Sequence, residues 1–166
     1  MMVSLQSKIS SFLNSFGFNL SRYQKNSLKE CLKLYKVDTI FDIGANKGDS
    51  VINFRYLGYR GKIISFEPIK KLFDNLEKKA TKSKNWTVEN YALGDKIEEK
   101  AFNVSGGDGS SSSFLEMDET LIAAAPDQKY ILQETVKCST LTEMVKKHYP
   151  KGERLFLKID VQGFEK

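Results

Sequence analysis

The sequence predicts an α/β protein built on a parallel sheet. Three observations carry that expectation. Short apolar segments rich in strand formers (Thr39 to Ile43, Lys62 to Glu67, Trp86 to Leu93) alternate with segments of helical apolar spacing. The connections between them are short, and β-α-β-α-β runs of this kind build parallel sheets with crossover helices. The first strand ends in a turn containing Gly44 and Gly48, just where a helical period begins.

Residues 4–16 have apolar positions (Leu5, Ile9, Phe12, Leu13, Phe16) spaced for an amphipathic helix. Such a helix either caps the domain or meets a membrane surface or partner. Lys8 is the one charge on its polar face, which favours the cap. A second helix is expected over 25–36, with Leu28, Leu32 and Tyr35 on one face and Cys31 beside them. The chain thus divides into an N-terminal helical cap, 1–36, and an α/β domain, 37–166.

Within that domain, strand 39–43 is followed by a helix from Asn46 to Tyr56, stopped at Leu57-Gly58. Strand 62–67 is closed by Pro68. The helix 69–80 carries Leu72, Phe73, Leu76 and Ala80 on one face. A single third strand is expected over 86–93, ended by Gly94-Asp95. Ser105 to Ser113 is a Gly/Ser loop between Phe102 and Phe114 that suits a surface loop, a linker or a lid. A short helix is expected over 118–125 and a strand over 134–139. Thr140 and Glu143 have capping-box spacing, so a helix should run to His148, the single histidine, which reads as a helix-end residue. Strand 155–160 completes the series.

Composition narrows the function. Apolar residues make up 40% and charged residues 28% of 166 positions, which argues for a folded domain. The net charge of +5 comes from scattered lysines, with no basic stripe interleaved with aromatics, so nucleic-acid binding is not indicated. No segment approaches the roughly 18 unbroken apolar residues of a membrane span. Cys31 and Cys138 lie far apart in no metal-ligand spacing, which argues against a Cys/His metal site and for a reducing, cytoplasmic setting. No Gly-x-Ser-x-Gly elbow is present, and the lone histidine leaves a hydrolase triad unsupported.

The turn carries the chemistry. Its pattern, Asp42-Ile43-Gly44-Ala45-Asn46-Lys47-Gly48, is neither a dinucleotide G-x-G-x-x-G nor a P-loop. Asp42 at the strand end would repel a pyrophosphate. It suits the ammonium of S-adenosylmethionine, which has a ribose diol and no phosphate. Glu67 ends the next strand, where a carboxylate can accept ribose hydroxyls. An NAD-dependent oxidoreductase is the rival reading of the same turn.

Four motifs occur in order: Phe41 to Gly48, Phe66-Glu67-Pro68, Ala92-Leu93-Gly94-Asp95, and Leu157 to Glu165. In them the chain resembles the FkbM family of S-adenosylmethionine-dependent methyltransferases over about residues 38–166. The resemblance implies a Rossmann-like class I methyltransferase fold, three-layer α/β/α. It also implies methyl transfer, usually to a hydroxyl on a sugar or natural product, with a small molecule or glycan as acceptor. By position it implies that Asp42, Gly44, Ala45, Asn46 and Gly48 hold the methionine portion and Glu67 the ribose. Asn90, Ala92 and Leu93 would border the adenine, and Asp160 would stand beside the sulfonium and the acceptor.

Strand alternation puts Lys158 and Asp160 on one face, so the two are expected as neighbours. Asp160 is a base candidate. Lys158 is either a base or an ion-pair anchor for the strand end, the latter favoured. Glu165 is divided evenly between a contact in the pocket and the surface. No metal is implied. Sheets of this class usually continue past a fourth strand, so the chain reads as truncated after it. That would leave a catalytically inactive binding or assembly module as the alternative to an enzyme. The fourth strand would then be an exposed edge, covered by a partner such as a second copy or by strand 134–139.

Overall fold

The computed structural model describes residues 25–107, 109–117, 120, 126–149 and 153–163. The helix expected over 4–16, most of that over 118–125, and Glu165 lie outside them. In chain order the elements are α1 (Lys25–Leu34), β1 (Thr39–Ile43), α2 (Asp49–Tyr56), β2 (Lys62–Phe66), α3 (Lys70–Ala80), β3 (Trp86–Glu89), β4 (Ala92–Gly94), β5 (Glu98–Ser105), β6 (Tyr130–Thr140), α4 (Leu141–His148) and β7 (Leu155–Ile159).

The first sheet has the order β3-β2-β1-β7 and is parallel throughout. β1 is fully buried, as expected of a strand paired on both edges and covered on both faces. Its alternate side chains feed two separate clusters. Ile40 and Ile63 pack with Leu32 of α1 and with Val51 and Phe54 of α2. Phe41, Ile43, Ile64 and Phe66 pack with Met144 of α4. The period-2 alternation of a strand therefore assigns α1 and α2 to one face and α4 to the other.

The helix ends follow local rules. α2 starts at Asp49, three residues later than its apolar spacing suggested, because Asn46 and Gly48 take left-handed φ values of 47° and 87°. Leu57 and Gly58 stop α2 as expected, Gly58 at φ 89°. Thr140 caps α4 by accepting from the Glu143 N–H, while the Glu143 carboxylate pairs with Lys146, so only half of the capping box forms. α1 ends before Tyr35, which is exposed rather than on the buried face.

The expected third strand is broken in two. β3 stays in the first sheet, whereas β4 joins a second sheet of order β4-β6-β5. Asn90 makes the break: its side-chain amide donates to the carbonyls of Glu67 and Pro68, both at 2.9 Å, and turns the chain out of the first sheet. β6 runs longer than expected and pairs parallel to β4 and antiparallel to β5. It therefore does not cover the edge of β7, as the sequence reading allowed. β7 is the outer strand of the first sheet, with Leu157 37% and Ile159 45% exposed. β5, not anticipated, supplies Phe102 and Val104 to a third cluster with Ile69, Ala92, Val136 and Cys138.

Candidate functional site

The C-terminal ends of β1, β2 and β7 face the second sheet across a cavity of about 230 Å³. The first sheet contributes Gly44 to Asn46, Glu67, Lys158 and Asp160 to its lining. The second contributes Ala92, Leu93 and Phe102, with Gly109, Ser110, Ser112 and Phe114 from the loop after β5. The ends of parallel strands are where α/β sheets commonly present ligand crevices.

The turn after β1 is shaped by close backbone approach. Gly44 has φ 76°, and a Cβ placed there would lie 1.9 Å from the Asp160 carbonyl oxygen. Only glycine accommodates both constraints. The chain beyond β7 is held against this turn by the Asp160 N–H donating to the Ile43 carbonyl at 3.1 Å. Gly48 serves packing: a Cβ there would meet Leu76 of α3 at 2.8 Å. The turn's own amides point into the protein. Gly44 and Ala45 both donate to the Phe66 carbonyl, Gly48 donates to Ala45, and Asn46 donates to Glu67. These four N–H groups are therefore bonded within the protein rather than presented to the cavity.

Glu67 is 3% exposed, yet it lines the cavity. Its Oε2 accepts the Asn46 N–H at 2.8 Å and its Oε1 accepts the Ile69 N–H at 2.9 Å. Each oxygen retains a further lone pair for a ligand hydroxyl. Burial pushes the carboxyl up to about 7, against the two backbone donors that favour its ionised form.

Asp42 is completely buried and is not among the lining residues. Its Oδ2 accepts the Ser65 hydroxyl at 3.2 Å, and Ser65 in turn accepts the Trp86 indole N–H at 3.0 Å. Its Oδ1 lies 3.2 Å from the Lys158 ammonium. Asp42 and Lys158 are register partners on adjacent parallel strands, which brings the two side chains to the same face. A polar line thus crosses all four strands of the first sheet, through Trp86, Ser65, Asp42 and Lys158. Burial raises the Asp42 pKa, and the Lys158 charge opposes that rise.

Lys158 also donates to the Gly44 carbonyl at 3.0 Å and lies 3.6 Å from Asp160 Oδ2. The expected Lys158–Asp160 neighbourhood is present. With a carboxylate on either side and a carbonyl as third partner, Lys158 has the surroundings of an ion-pair anchor. Asp160 is the accessible carboxylate, its side chain 55% exposed, with Gln162 donating to its Oδ1 at 3.0 Å.

Of the residues singled out from sequence, Gly44, Ala45, Asn46, Glu67, Ala92, Leu93, Lys158 and Asp160 line the cavity, whereas Asp42, Gly48 and Asn90 stand behind it. His148 lies off the cavity at the end of α4, its Nε2 2.8 Å from Glu89, with burial lowering its pKa. Tyr91, Phe102 and Gln162 line the cavity unanticipated, together with Ser112 and Phe114 from the loop for which a lid is one of the expected readings. The Phe102–Phe114 bracket of the Gly/Ser loop was the available signal for part of this wall: the two rings pack edge to face at 4.8 Å.

Among the described residues no group of three or more His, Cys, Asp or Glu side chains is placed to hold a metal, and no helix is long and apolar enough to cross a membrane. Residues 42–166 match the methyltransferase FkbM domain. No curated protein and no solved structure matches the chain.

Proposed function

The chain belongs to the FkbM family of methyltransferases, and from that premise we propose that it uses S-adenosylmethionine to methylate a hydroxyl oxygen of a sugar or natural product. Glu67 carries this reading. It is a buried carboxylate at the end of β2, aimed into the cavity and held by two backbone N–H groups with lone pairs to spare. That donor set suits a ribose diol. Tyr91, Leu93 and Phe102 form an apolar surface suited to an adenine ring. The Gly44, Ala45 and Asn46 N–H groups donate to Phe66 and Glu67 rather than into the cavity, so the turn lacks the amide cradle a pyrophosphate needs, which disfavours the nicotinamide alternative. A Rossmann-like three-layer arrangement is part of this proposal, supported by α1 and α2 packing on one face of the first sheet and α4 on the other.

When bound, S-adenosylmethionine supplies an electrophilic methyl group on a sulfonium, an already activated leaving group. The chain's residues then hold and deprotonate. Glu67, ionised, accepts the ribose hydroxyls. The Gly44-Ala45-Asn46 turn, with Asp42 behind it, shapes the methionine end. Asn90 fixes the β3–β4 junction from which Ala92 and Leu93 reach the adenine side. Lys158 pins the turn to β7 through Gly44 and orients Asp160. Asp160, the exposed carboxylate, takes the acceptor hydroxyl's proton. Much of the rate enhancement comes from positioning two bound molecules. Cys31 and Cys138 are both free thiols, which supports a reducing, cytoplasmic setting. The outer edge of β7 is our proposed contact with a second copy, and a monomer by light scattering would remove that part.

Calorimetry with S-adenosylmethionine tests the pocket. Glu67→Ala is expected to weaken binding by more than tenfold while circular dichroism shows an unchanged fold. Binding of NADH with no binding of S-adenosylmethionine would overturn the reading.

A further inference from the structure

The turn after β7 contains a backbone conformation that needs an explanation. Gln162 has φ 54° and Gly163 φ 92°, two left-handed residues in succession. A non-glycine residue there is unfavourable and persists only when its surroundings hold it. Two bonds do so, one from each side of the cavity. The Gln162 side-chain amide donates to Asp160 Oδ1 at 3.0 Å. The Gln162 carbonyl accepts the Ser113 hydroxyl at 3.2 Å. Ser113 is itself 3% exposed, pairs with Asn103 of β5 through both backbone groups, and accepts the Leu115 N–H. A Cβ at Gly163 would stand 3.3 Å from Leu115, so the two segments touch there as well.

We infer that Gln162 is a positioning residue: it is a strut that carries the placement of the Gly/Ser loop, through Ser113, to the carboxylate of Asp160. The inference rests on the proposed reading of Asp160 as the base that takes the acceptor's proton. Asp160 is more than half exposed, so its side chain would otherwise sample several rotamers. Lys158 holds one oxygen from the strand side, and Gln162 holds the other from the loop side. The carboxamide suits this place. It donates to the carboxylate without adding a charge, whereas a glutamate would offer repulsion and no donor.

The strut has a signature that does not depend on the acceptor. In wild-type protein one Gln162 side-chain amide proton should resonate downfield and exchange slowly by NMR. Asp160→Ala should speed that exchange at least threefold. Ser113→Ala should do so to a smaller extent, and Ser113→Thr should restore the wild-type signal by returning the hydroxyl. Exchange unchanged by Asp160→Ala and Ser113→Ala overturns the proposal.

Its consequence is read by transfer of the labelled methyl of S-adenosylmethionine to a panel of methyl glycosides. Gln162→Ala should lower kcat about tenfold, a part of the ~100-fold or more that a positioned base contributes. The KM and calorimetric affinity for S-adenosylmethionine should stay within twofold. Gln162→Glu should not rescue the rate. An equal loss in cofactor affinity would make Gln162 merely structural and overturn the proposal. Full activity of Asp160→Asn with the amide signature intact supports the strut and removes only the base role. Silence of the wild type on the whole panel counts against the methyl-transfer reading, and the amide signature then decides the strut alone.

Discussion

One wall of the cavity is charged and set by strand register; the wall facing it is apolar and set by hydroxyl-to-backbone bonds in a loop. On the first, Lys158 and Asp160, with Asp42 behind them, follow from a pair of parallel strands whose partners are one-to-one, and Glu67 from the end of a third strand. On the second, side-chain bonds of Ser105, Ser112 and Ser113 supplement the backbone bridge between Asn103 and Ser113 and hold Phe114 against Phe102. The difference separates two tasks. Charges buried at strand ends are costly to disturb and so keep a cofactor-binding wall constant. A loop tied by serines can change sequence while keeping its anchor points, which suits the side that chooses an acceptor.

If the first wall is the rigid one, its largest failure should come from the turn that joins its strands. Gly44→Ala places a methyl group 1.9 Å from the Asp160 carbonyl oxygen at φ 76°. The loss should exceed about 4 kcal/mol, the range reached when strain and overpacking combine. Soluble expression and the thermal unfolding midpoint check this, and a variant within a few degrees of wild type would contradict the rigid-wall view.

Asp42→Asn should come next. The change leaves the Lys158 ammonium, 22% exposed and still near Asp160, beside a neutral amide, and removing one partner of such a largely buried pair costs about 3 kcal/mol. Denaturant unfolding measures it. Lys158→Met removes the charge but keeps the packing of the stem, so it should cost less than Lys158→Ala, which removes both.

Glu67 gives the same wall a pH dependence. Its folded pKa of about 7 lies above the unfolded value of 4.5. The folded state therefore binds its proton more tightly, and the stability from that is fully present below pH 4.5 and lost as pH rises through 7. Its size is on the order of 3 kcal/mol. Asp42, also raised, adds in the same direction, so the comparison with Glu67→Gln isolates the Glu67 part. S-adenosylmethionine affinity should run the opposite way, rising through pH 7 as Glu67 ionises to accept the ribose hydroxyls. Calorimetry from pH 5.5 to 8.5 and pH-dependent unfolding check both, and a flat wild-type profile would remove the ribose assignment.

The same contrast governs what could be read from sequence. The first wall was legible because its logic is local: apolar strands 39–43 and 62–66, a glycine turn, and alternation that puts Lys158 beside Asp160. Two of its details were not. The completely buried Asp42 and the inward-pointing amides of 44–46 depend on how β7 and Phe66 close around the turn. The second wall was largely hidden. Trp86 to Leu93 is one unbroken run of strand formers, and only the reach of Asn90 back to Glu67 and Pro68 divides it. β5 begins with exposed charged positions, Glu98 to Lys100, so its inward pair, Phe102 and Val104, is too short an alternation to stand out. Tyr91 and Gln162 reach the cavity only through long-range packing.

The smallest expected effect sharpens the comparison from the loop side. Ser112 is 8% exposed, and its oxygen accepts the Ser105 N–H at 2.9 Å while its hydroxyl donates to the Gly109 carbonyl at 2.8 Å. Ser112→Ala leaves the buried Ser105 N–H without that acceptor. Its cost should be about 2 kcal/mol, within the range for an orphaned buried donor. Glu67 and its two backbone donors lie on other segments, so S-adenosylmethionine affinity by calorimetry should fall less than for Glu67→Ala. Methyl transfer should instead lose apparent affinity for the acceptor, because Ser110 and Phe114 shift with the loop. A variant that loses cofactor and acceptor affinity alike would mean that the two walls work as one, and that the division between a constant charged side and a variable serine-tied side does not hold.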